Sequence, residues 1–402
     1  MKRAIFLVTA TAVTLFASGC VSDSKSASAP TPTPKAQATE QWNDARAAVM
    51  GGLADDQFKN GNFDKSRQSV DEAMRLNPKS ARFHILSAKL AIEQGQLELA
   101  DKELATARVL DPKDAEADYL SGVVCQRWQK PDAAAEFYLI AGDKNPHEVA
   151  YVLAHAEMLV AMNKRDDAIA LLQDKAAFFE HSPALHDALG QLLVQAGKYA
   201  EGIESLREAM ALANDDSSIR LHLAMACFQD KQYREAADLF GRLLHEPDSD
   251  NRADLHLAHA ECLMQLDRTA DARIEYDAVC RLNPDSTAGW LGAAKVAMVE
   301  SDLRRCEISI QRARAIDPTS EDGLLMLGYL RIKQSRFEDA LAAFQTASSL
   351  DRNDPVVLCL IGYVMEKTGR ADQAPAYYAR ALQIKPNNAM AMKLMASADV
   401  GE

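Results

Sequence analysis

The chain has 402 residues, of which 48% are hydrophobic but only 6% aromatic, and its formal net charge is −13. This length exceeds one ordinary hydrophobic core, so the chain should divide into domains or grow as a repeat array. A composition rich in alanine and poor in aromatic residues suits many thin helical layers, and this favours the repeat array. The negative charge is spread along the chain without a basic stripe, which makes nucleic acid and anionic lipid headgroups poor partners and leaves basic or neutral proteins.

Residues 1–19 have the layout of a cleaved signal peptide: a basic start, an apolar run over 5–16, and small residues before Cys20. The run is too short to span a bilayer core of about 30 Å. Phe-Ala-Ser-Gly-Cys resembles the lipobox of bacterial lipoproteins, although Ala17 stands where leucine is usual. The resemblance implies acylation of the Cys20 thiol, and several acyl chains together hold a protein stably at a membrane. The alternative is a plain cleavage site with an incidental cysteine.

Residues 20–46 are rich in Ser, Ala, Pro and Thr, and this composition predicts a disordered tether. About twenty such residues span roughly 25 Å as a coil, enough to hold a folded body off a membrane. Anchor and tether together predict a protein of the bacterial cell envelope that faces the periplasm. Val21, rather than Asp, follows the lipidation site and resembles an outer-membrane address, so the outer membrane is favoured over the inner one.

Proline recurs at a spacing of 34 residues at Pro78, Pro112 and Pro146 and again at Pro284 and Pro318, and Pro386 follows two periods later. This period predicts ten helix-turn-helix repeats over residues 47–388, with two extra residues before the seventh repeat. The predicted repeats start at 47, 81, 115, 149, 183, 217, 253, 287, 321 and 355. A C-terminal capping helix and tail are predicted over 389–402.

Two columns of the repeat hold small side chains, and a third column holds large ones. Position 8 holds only Gly or Ala, position 20 holds only Ala, Gly, Ser or Cys, and position 24 holds large apolar residues. Small residues let two antiparallel helices cross closely, and large ones fill the holes between helices. Five repeats carry a residue suited to a left-handed helix end at position 15. These residues are Gly61, Gly95, Asn163, Gly197 and Gly369.

This pattern resembles the tetratricopeptide repeat family over residues 47–388. The residues that match the family pattern directly include Trp290, Leu327, Gly328, Ala340, Phe344, Ala347, Gly362, Ala374, Tyr378, Ala381 and Pro386. The resemblance implies an all-α solenoid of about ten 34-residue repeats, wound as a right-handed superhelix. Three places depart from the pattern: Gly51-Gly52 in a first helix, Lys175 and Leu243 in a mostly alanine column, and Pro375 early in a second helix.

In this family, positions 2, 5, 9, 12 and 13 of the first helices line a concave groove. Apolar residues at these positions predict the floor of a partner-binding groove, with charged residues between them. The predicted groove residues are Tyr119, Leu257, Met264, Leu291, Met298, Leu325, Tyr329, Ile332 and Tyr363. The alternative is that several of them complete the core between adjacent repeats. Position 6 holds no Asn, and the Lys/Asn pair that grips a C-terminal carboxylate in some members is missing as well.

The sequence contains no recognised catalytic or nucleotide-binding motif, so we expect neither an enzyme nor a cofactor. His256 and His259, three residues apart with Glu261 nearby and His222 one repeat earlier, are the best metal candidate, but they fit ordinary half-buried histidines better. Among the later cysteines only Cys227 and Cys262 come from facing first helices. Buried thiols are expected there rather than a disulfide.

These features together predict a membrane-anchored scaffold or adaptor that binds partner proteins through its groove. An amphipathic helix or an extended segment of the partner fits such a groove, and contact with the membrane would run through the lipid anchor only. By analogy with repeat lipoproteins, the expected role is assembly of an envelope complex such as a pilus, a secretion system or a polysaccharide exporter. The alternative is a regulator of a cell-wall synthase or hydrolase.

Overall fold

The computed structural model describes residues 33–213, 215–247, 249 and 251–399. These residues contain twenty-one α-helices, one 3₁₀ turn and no strand, which confirms the predicted all-α solenoid. Within the same residues no helix is long and apolar enough to cross a bilayer. The predicted signal peptide and its Cys20 lie outside the described residues.

The chain divides into two compact units, and the first of them ends at Pro112. Each of its helices packs against its neighbours in sequence. They are α1 (Pro34–Lys59), α2 (Phe63–Leu76), α3 (Ala81–Glu93) and α4 (Leu97–Leu110).

Helix α1 begins at Pro34, well before the predicted start of the first repeat at residue 47. The prediction of a disordered tether is therefore wrong for residues 34–46. Proline presets the backbone of a first helical turn, and the Lys, Ala, Gln and Glu residues that follow are good helix formers, so this stretch extends the helix. Gly51 inside α1 also has a packing reason, because an added methyl would overlap the ring of Phe83 on α3.

The second compact unit begins at Lys113 and contains the remaining helices. Its first eight are α5 (Ala115–Arg127), α6 (Pro131–Lys144), α7 (Val149–Ala161), α8 (Arg165–Ala176), α9 (Pro183–Gln195), α10 (Tyr199–Leu212), α11 (Ser217–Gln229) and α12 (Tyr233–Leu244). The others are α13 (Ala253–Gln265), α14 (Thr269–Leu282), α15 (Thr287–Val299), α16 (Leu303–Ile316), α17 (Glu321–Lys333), α18 (Phe337–Leu350), α19 (Pro355–Lys367), α20 (Ala374–Ile384) and α21 (Ala389–Asp399). A 3₁₀ turn at Ala371–Gln373 precedes α20, so Pro375 lies in a first helical turn and interrupts no helix.

The small and large columns of the sequence are the points where the helices of each repeat meet. All ten residues at position 8, all ten at position 20 and all ten at position 24 are buried. The fully buried large side chains include Tyr138, Phe240, Phe344 and Tyr378, all at position 24. Within each compact unit a repeat thus encloses a small core of its own and shares apolar surface with the next, as expected of a solenoid.

The turn between the two helices of a repeat has the same backbone geometry in all ten repeats, with a positive φ at position 15. Glycine fills this position in four repeats: Gly61, Gly95, Gly197 and Gly369. Residues with side chains fill it in the other six: Gln129, Asn163, Lys231, Asp267, Ser301 and Ser335. The geometry follows the predicted register even where the residue type gives no sign of it.

Several repeats fix the start of the first helix with a ring nitrogen at position 4. Trp290 Nε1 donates a hydrogen bond to the Pro284 carbonyl oxygen at 2.8 Å. His186 Nε2 lies 3.2 Å from the Glu180 carbonyl oxygen in the same relative place, six residues earlier in the chain. A position-4 side chain thereby ties its helix to the preceding turn and satisfies a carbonyl that the turn leaves without a partner.

Candidate functional site

The nine predicted groove residues lie at the boundary between core and solvent. Leu291 is buried, with 7% of its surface exposed, and Tyr329 is exposed at 38%. The other seven are half-buried. Leu325, Ile332 and Tyr363, for example, pack on the core cluster shared by α17, α18 and α19. Both roles considered for these residues are therefore compatible with their positions, because most of the nine join the core on one side and remain partly accessible on the other.

Two of the nine, Met264 and Leu291, line a cavity of about 350 Å³ between first helices of the second compact unit. We call it the groove cavity. Its other apolar and aromatic lining residues are Phe228, Tyr233, Tyr276, Ala288 and Gly292, and its polar lining residues are Glu261, Gln265, Lys295 and Asp322. Most of these residues occupy positions 2, 5, 9, 12 or 13, so the cavity opens on the predicted groove surface.

Aromatic rings form one wall of the groove cavity. Phe228 at the end of α11 meets Tyr233 at the start of α12 edge to face, with ring centroids 6.0 Å apart. Tyr276 is a core residue of α14 whose ring edge reaches the cavity because Gly292 on α15 has no side chain there. These three rings were not predicted as site residues. Phe228 occupies a groove position and could have been recognised, whereas Tyr276 stands in the core column.

Charged groups surround this apolar wall. Burial raises the pKa of Glu261 above its usual value, and the nearby Lys295 ammonium opposes that rise. Asp322 and Lys295 are exposed at the rim. The half-buried Glu261 carboxylate is thus incompletely solvated, and a cation that entered the cavity would stabilise its charged form. The lining as a whole suits an apolar side chain next to a basic group.

The other predicted groove residues do not line this cavity. Tyr329 on α17 lies edge to face with Phe344, with centroids 6.0 Å apart, and burial raises the pKa of its hydroxyl. On the neighbouring α19, Lys367 Nζ stands 5.6 Å from the centre of the Tyr363 ring. Tyr329 therefore presents a neutral hydroxyl donor at neutral pH, beside the half-buried Leu325 and Ile332.

The histidines considered as a metal site serve as contacts between helices. His256 Nδ1 lies 2.5 Å from Glu275 Oε2, and His259 Nδ1 lies 3.3 Å from Glu275 Oε1. Burial by itself raises the pKa of Glu275, but the adjacent His259 and His256 rings lower this pKa by a larger amount. The net shift of the Glu275 pKa is therefore downward. His222 instead pairs with Asp187 at 2.8 Å. Among the described residues, no group of three or more His, Cys, Asp or Glu side chains is arranged to hold a metal ion.

The six cysteines of the described residues are buried, and no disulfide joins any two of them. Cys227 and Cys262, the one pair considered for a disulfide, belong to one core cluster. Burial raises the pKa of each of these two thiols to about 12. Both therefore remain protonated at neutral pH and serve as small apolar packing groups.

Comparison with known proteins identifies the repeat. Two family models, each described as tetratricopeptide repeat, match residues 57–122 and 193–253 and residues 232–287 and 325–389. The lipopolysaccharide assembly protein B of Escherichia coli strain K12 is 24% identical over 234 residues. That match covers 53% of this chain, and the chain spans 59% of the length of that relative.

Solved structures similar to this chain were also found. PilW, described as a widely conserved type IV pilus biogenesis factor, matches with a TM-score of 0.47 and 16% identity, over 53% of this chain and 98% of PilW. YrrB, described as a repeat protein with an unusual peptide-binding site, matches with a TM-score of 0.44 and 16% identity, over 47% of this chain and 97% of YrrB. The 34-residue period, the buried columns, the uniform turns and the matching family models lead to one conclusion. The chain belongs to the tetratricopeptide repeat family.

Proposed function

We propose that this protein is an envelope scaffold that holds a segment of a partner protein on the first-helix surface of its second compact unit. The observation that carries the proposal is the groove cavity, because Met264 and Leu291 open there beside three aromatic rings. A volume of about 350 Å³ accommodates one large side chain of a bound helix or extended segment. The predicted site residues outside the cavity, including Tyr329, would contact the rest of that segment.

The charge of the groove cavity favours a basic partner. Two carboxylates, Glu261 and Asp322, face one ammonium group, Lys295, so the lining carries a net negative charge. The whole chain has the same sign, with a formal net charge of −13. Complementary charge accelerates association and selects among partners more than it adds affinity. The expected partner segment therefore pairs an apolar anchor with lysine or arginine.

The placement in the envelope is supported by sequence features and by one relative. The Cys20 context resembles a lipobox, which suggests a lipid anchor, a periplasmic body and, with Val21 next to it, the outer membrane. The Escherichia coli relative, similar over 53% of this chain, is named for lipopolysaccharide assembly. Assembly of an envelope complex is thus the proposed setting, and regulation of a cell-wall synthase or hydrolase is the alternative.

The proposal predicts that the groove surface crosslinks to a partner in the native host. A photoreactive amino acid would replace Met264 in one variant and Tyr329 in another, and mass spectrometry would identify the adducts. With the purified partner, Tyr329→Asp combined with Ile332→Asp should weaken binding more than about tenfold, because a charge replaces apolar anchor surface.

The matched control uses Ile308, which is 50% exposed on α16 and outside the predicted groove. A photoreactive residue at position 308 should give no adduct with the same partner, and Ile308→Asp should leave its affinity unchanged. Equal binding by a folded Tyr329/Ile332 double variant would contradict the groove assignment. Loss of helix content would show that these two residues are needed for the core. Recovery of a cell-wall synthase or hydrolase as the partner would favour the alternative role.

A further inference from the structure

A second cavity, of about 380 Å³, opens between α6, α7 and α8. We call it the α6–α8 cavity. Its lining residues are Tyr138, Leu139, Gly142, Asp143, Pro146, Tyr151, Val152, His155, Leu171, Asp174, Lys175 and Phe178. None of them occupies position 2, 5, 9, 12 or 13 of a repeat, so this cavity is separate from the groove surface.

The α6–α8 cavity coincides with a break in the repeat pattern. Position 27 is a fully buried alanine in seven repeats, as at Ala141 and Ala209, where the end of a second helix contacts the next repeat. The fourth repeat has Lys175 at this position, with 43% of its side chain exposed. A long charged side chain cannot fill the buried alanine site. Helix α8 ends one residue later at Ala176, and the turn that follows places Phe178 at the mouth of the cavity.

The interior of this cavity is apolar. Tyr151 and Val152 of α7 are buried there, and the half-buried His155 has its pKa lowered by burial, so it is neutral at neutral pH. Two large apolar side chains on its wall remain accessible: Leu139 is 48% exposed and Phe178 is 53% exposed. Accessible apolar groups that flank a concave site are typical of binding surfaces.

Phe178 is supported by neighbouring rings. Its centroid lies 5.2 Å from that of His147 and 4.9 Å from that of Phe179, the second contact being edge to face. A supported aromatic ring loses little conformational freedom on binding, which suits it to act as an anchor.

The rim of the α6–α8 cavity carries a net negative charge. Asp143 and Asp174 contribute two carboxylates, and Lys175 contributes one ammonium group. Lys175 Nζ lies 3.0 Å from Asp174 Oδ2 and so offsets that carboxylate locally. Asp143 is exposed and lies on α6, a different helix from that of Asp174 and Lys175. A basic group on an occupant would therefore gain most beside Asp143.

We propose that the α6–α8 cavity is a second docking site, for a protein segment that inserts one aromatic or branched aliphatic side chain next to a lysine or arginine. The apolar interior receives the inserted side chain, Leu139 and Phe178 flank it, and Asp143 faces the basic neighbour. With two separate sites, one molecule can hold two partner segments at once, and binding at two points strengthens the attachment of a partner that carries both.

The test uses the full chain and two displayed libraries of short peptides with one Phe, Leu, Ile or Trp at the centre. One library has Lys or Arg beside the central residue, and the other has Glu. Selected peptides are then measured by fluorescence anisotropy. The first library should yield binders and the second none. Phe178→Asp and Leu139→Asp should each weaken binding about tenfold or more, and Asp143→Lys should also weaken it.

The matched control is Ile308→Asp, at a residue of similar exposure outside both cavities, and it should leave binding within about twofold of wild type. Peptides whose binding is lost in the Tyr329/Ile332 double variant but kept in Phe178→Asp would support the groove and overturn the second site. Equal enrichment from both libraries would overturn the charge assignment. A dimer in sedimentation equilibrium that disappears in Phe178→Asp would assign the cavity to a second copy of this chain and refute the peptide proposal. Circular dichroism checks that every variant retains its helix content.

Discussion

In seven of the ten repeats the residue at position 8 is coupled to the size of the side chain at position 24, and the pairs Gly190/Leu206 and Ala224/Phe240 depart from this coupling. Glycine faces an aromatic ring in the pairs Gly122/Tyr138, Gly328/Phe344 and Gly362/Tyr378. Alanine faces a smaller residue in the pairs Ala54/Val70, Ala88/Leu104, Ala156/Leu172 and Ala294/Ile310. In the seventh repeat, where Ala260 stands at position 8, Gly292 of the next repeat makes room for Tyr276 instead. The pair of residues that packs at the helix crossing thus differs from repeat to repeat.

Gly328→Ala should destabilise the protein by about 1–3 kcal/mol, because the new methyl group would overlap the ring of Phe344. This cost should exceed the advantage of about 1 kcal/mol that alanine has over glycine inside a helix. Adding Phe344→Leu should relieve the overlap, so the two changes should be strongly non-additive in a double-mutant cycle. Urea unfolding of the four proteins measures the coupling.

Gly52→Ala is the control for this cycle, since nothing lies within 4 Å of a methyl group added at Gly52. That change should be neutral or stabilising by up to about 1 kcal/mol. If Gly328→Ala were as harmless as Gly52→Ala, the proposed fit between positions 8 and 24 would be wrong.

At the scale of the element, the helices and their turns could be predicted because the information is local and repeated. The alternation of small and large columns recurs in every repeat, and one turn geometry follows from the same register even where Gln129 or Lys231 replaces glycine. The start of α1 was missed because composition alone does not distinguish a Pro- and Ala-rich coil from a helix whose first turn holds Pro34.

The two cavities were harder to predict than the helices. The groove cavity depends on a side chain that Gly292 lacks, which lets Tyr276 of another helix reach the surface. The α6–α8 cavity depends on how α8 ends when Lys175 replaces an alanine. In both places the sequence marks a departure from the pattern. The resulting shape is set by packing between residues far apart in the chain.

Ala340→Leu tests the predicted crossing of α17 and α18. Ala340 is fully buried, and three added carbon atoms have no space there, so we expect a loss of about 1–3 kcal/mol in unfolding free energy. Ala342→Leu is the same change on an exposed face of α18 and should have little effect. Thermal melting of both variants compares them directly. Equal shifts in Tm would show that the predicted buried face of α18 is wrong.

At the scale of the whole molecule, the second compact unit presents two candidate surfaces on different faces of its repeats. The groove cavity involves α11 to α15 and α17, and the α6–α8 cavity lies earlier in the chain. Because each helix packs mainly on its sequence neighbours, a change in one surface should disturb the other little. The variants proposed for the two sites can therefore be interpreted independently.

The proposed membrane attachment depends on Cys20, which precedes the folded body. Cys20→Ser should abolish incorporation of labelled fatty acid and release the protein from the membrane fraction, with helix content unchanged, because it removes the thiol proposed to carry the acyl chains. Cys280→Ala, which removes a buried thiol instead, should keep the label. A Cys20→Ser protein that remained labelled and sedimented with membranes would refute the lipid anchor.

The turns at position 15 have a consequence for how this chain can evolve. Four of the ten, at Gln129, Lys231, Ser301 and Ser335, hold a side chain in a conformation that glycine adopts more easily, at a cost of about 1 kcal/mol or more each. A change to glycine at any one of them would recover part of that cost without altering a groove position. Together the four turns hold a reserve of a few kcal/mol, which is a large fraction of the net stability of an ordinary domain. Binding surfaces can therefore diversify under selection while compensating changes accumulate in the turns.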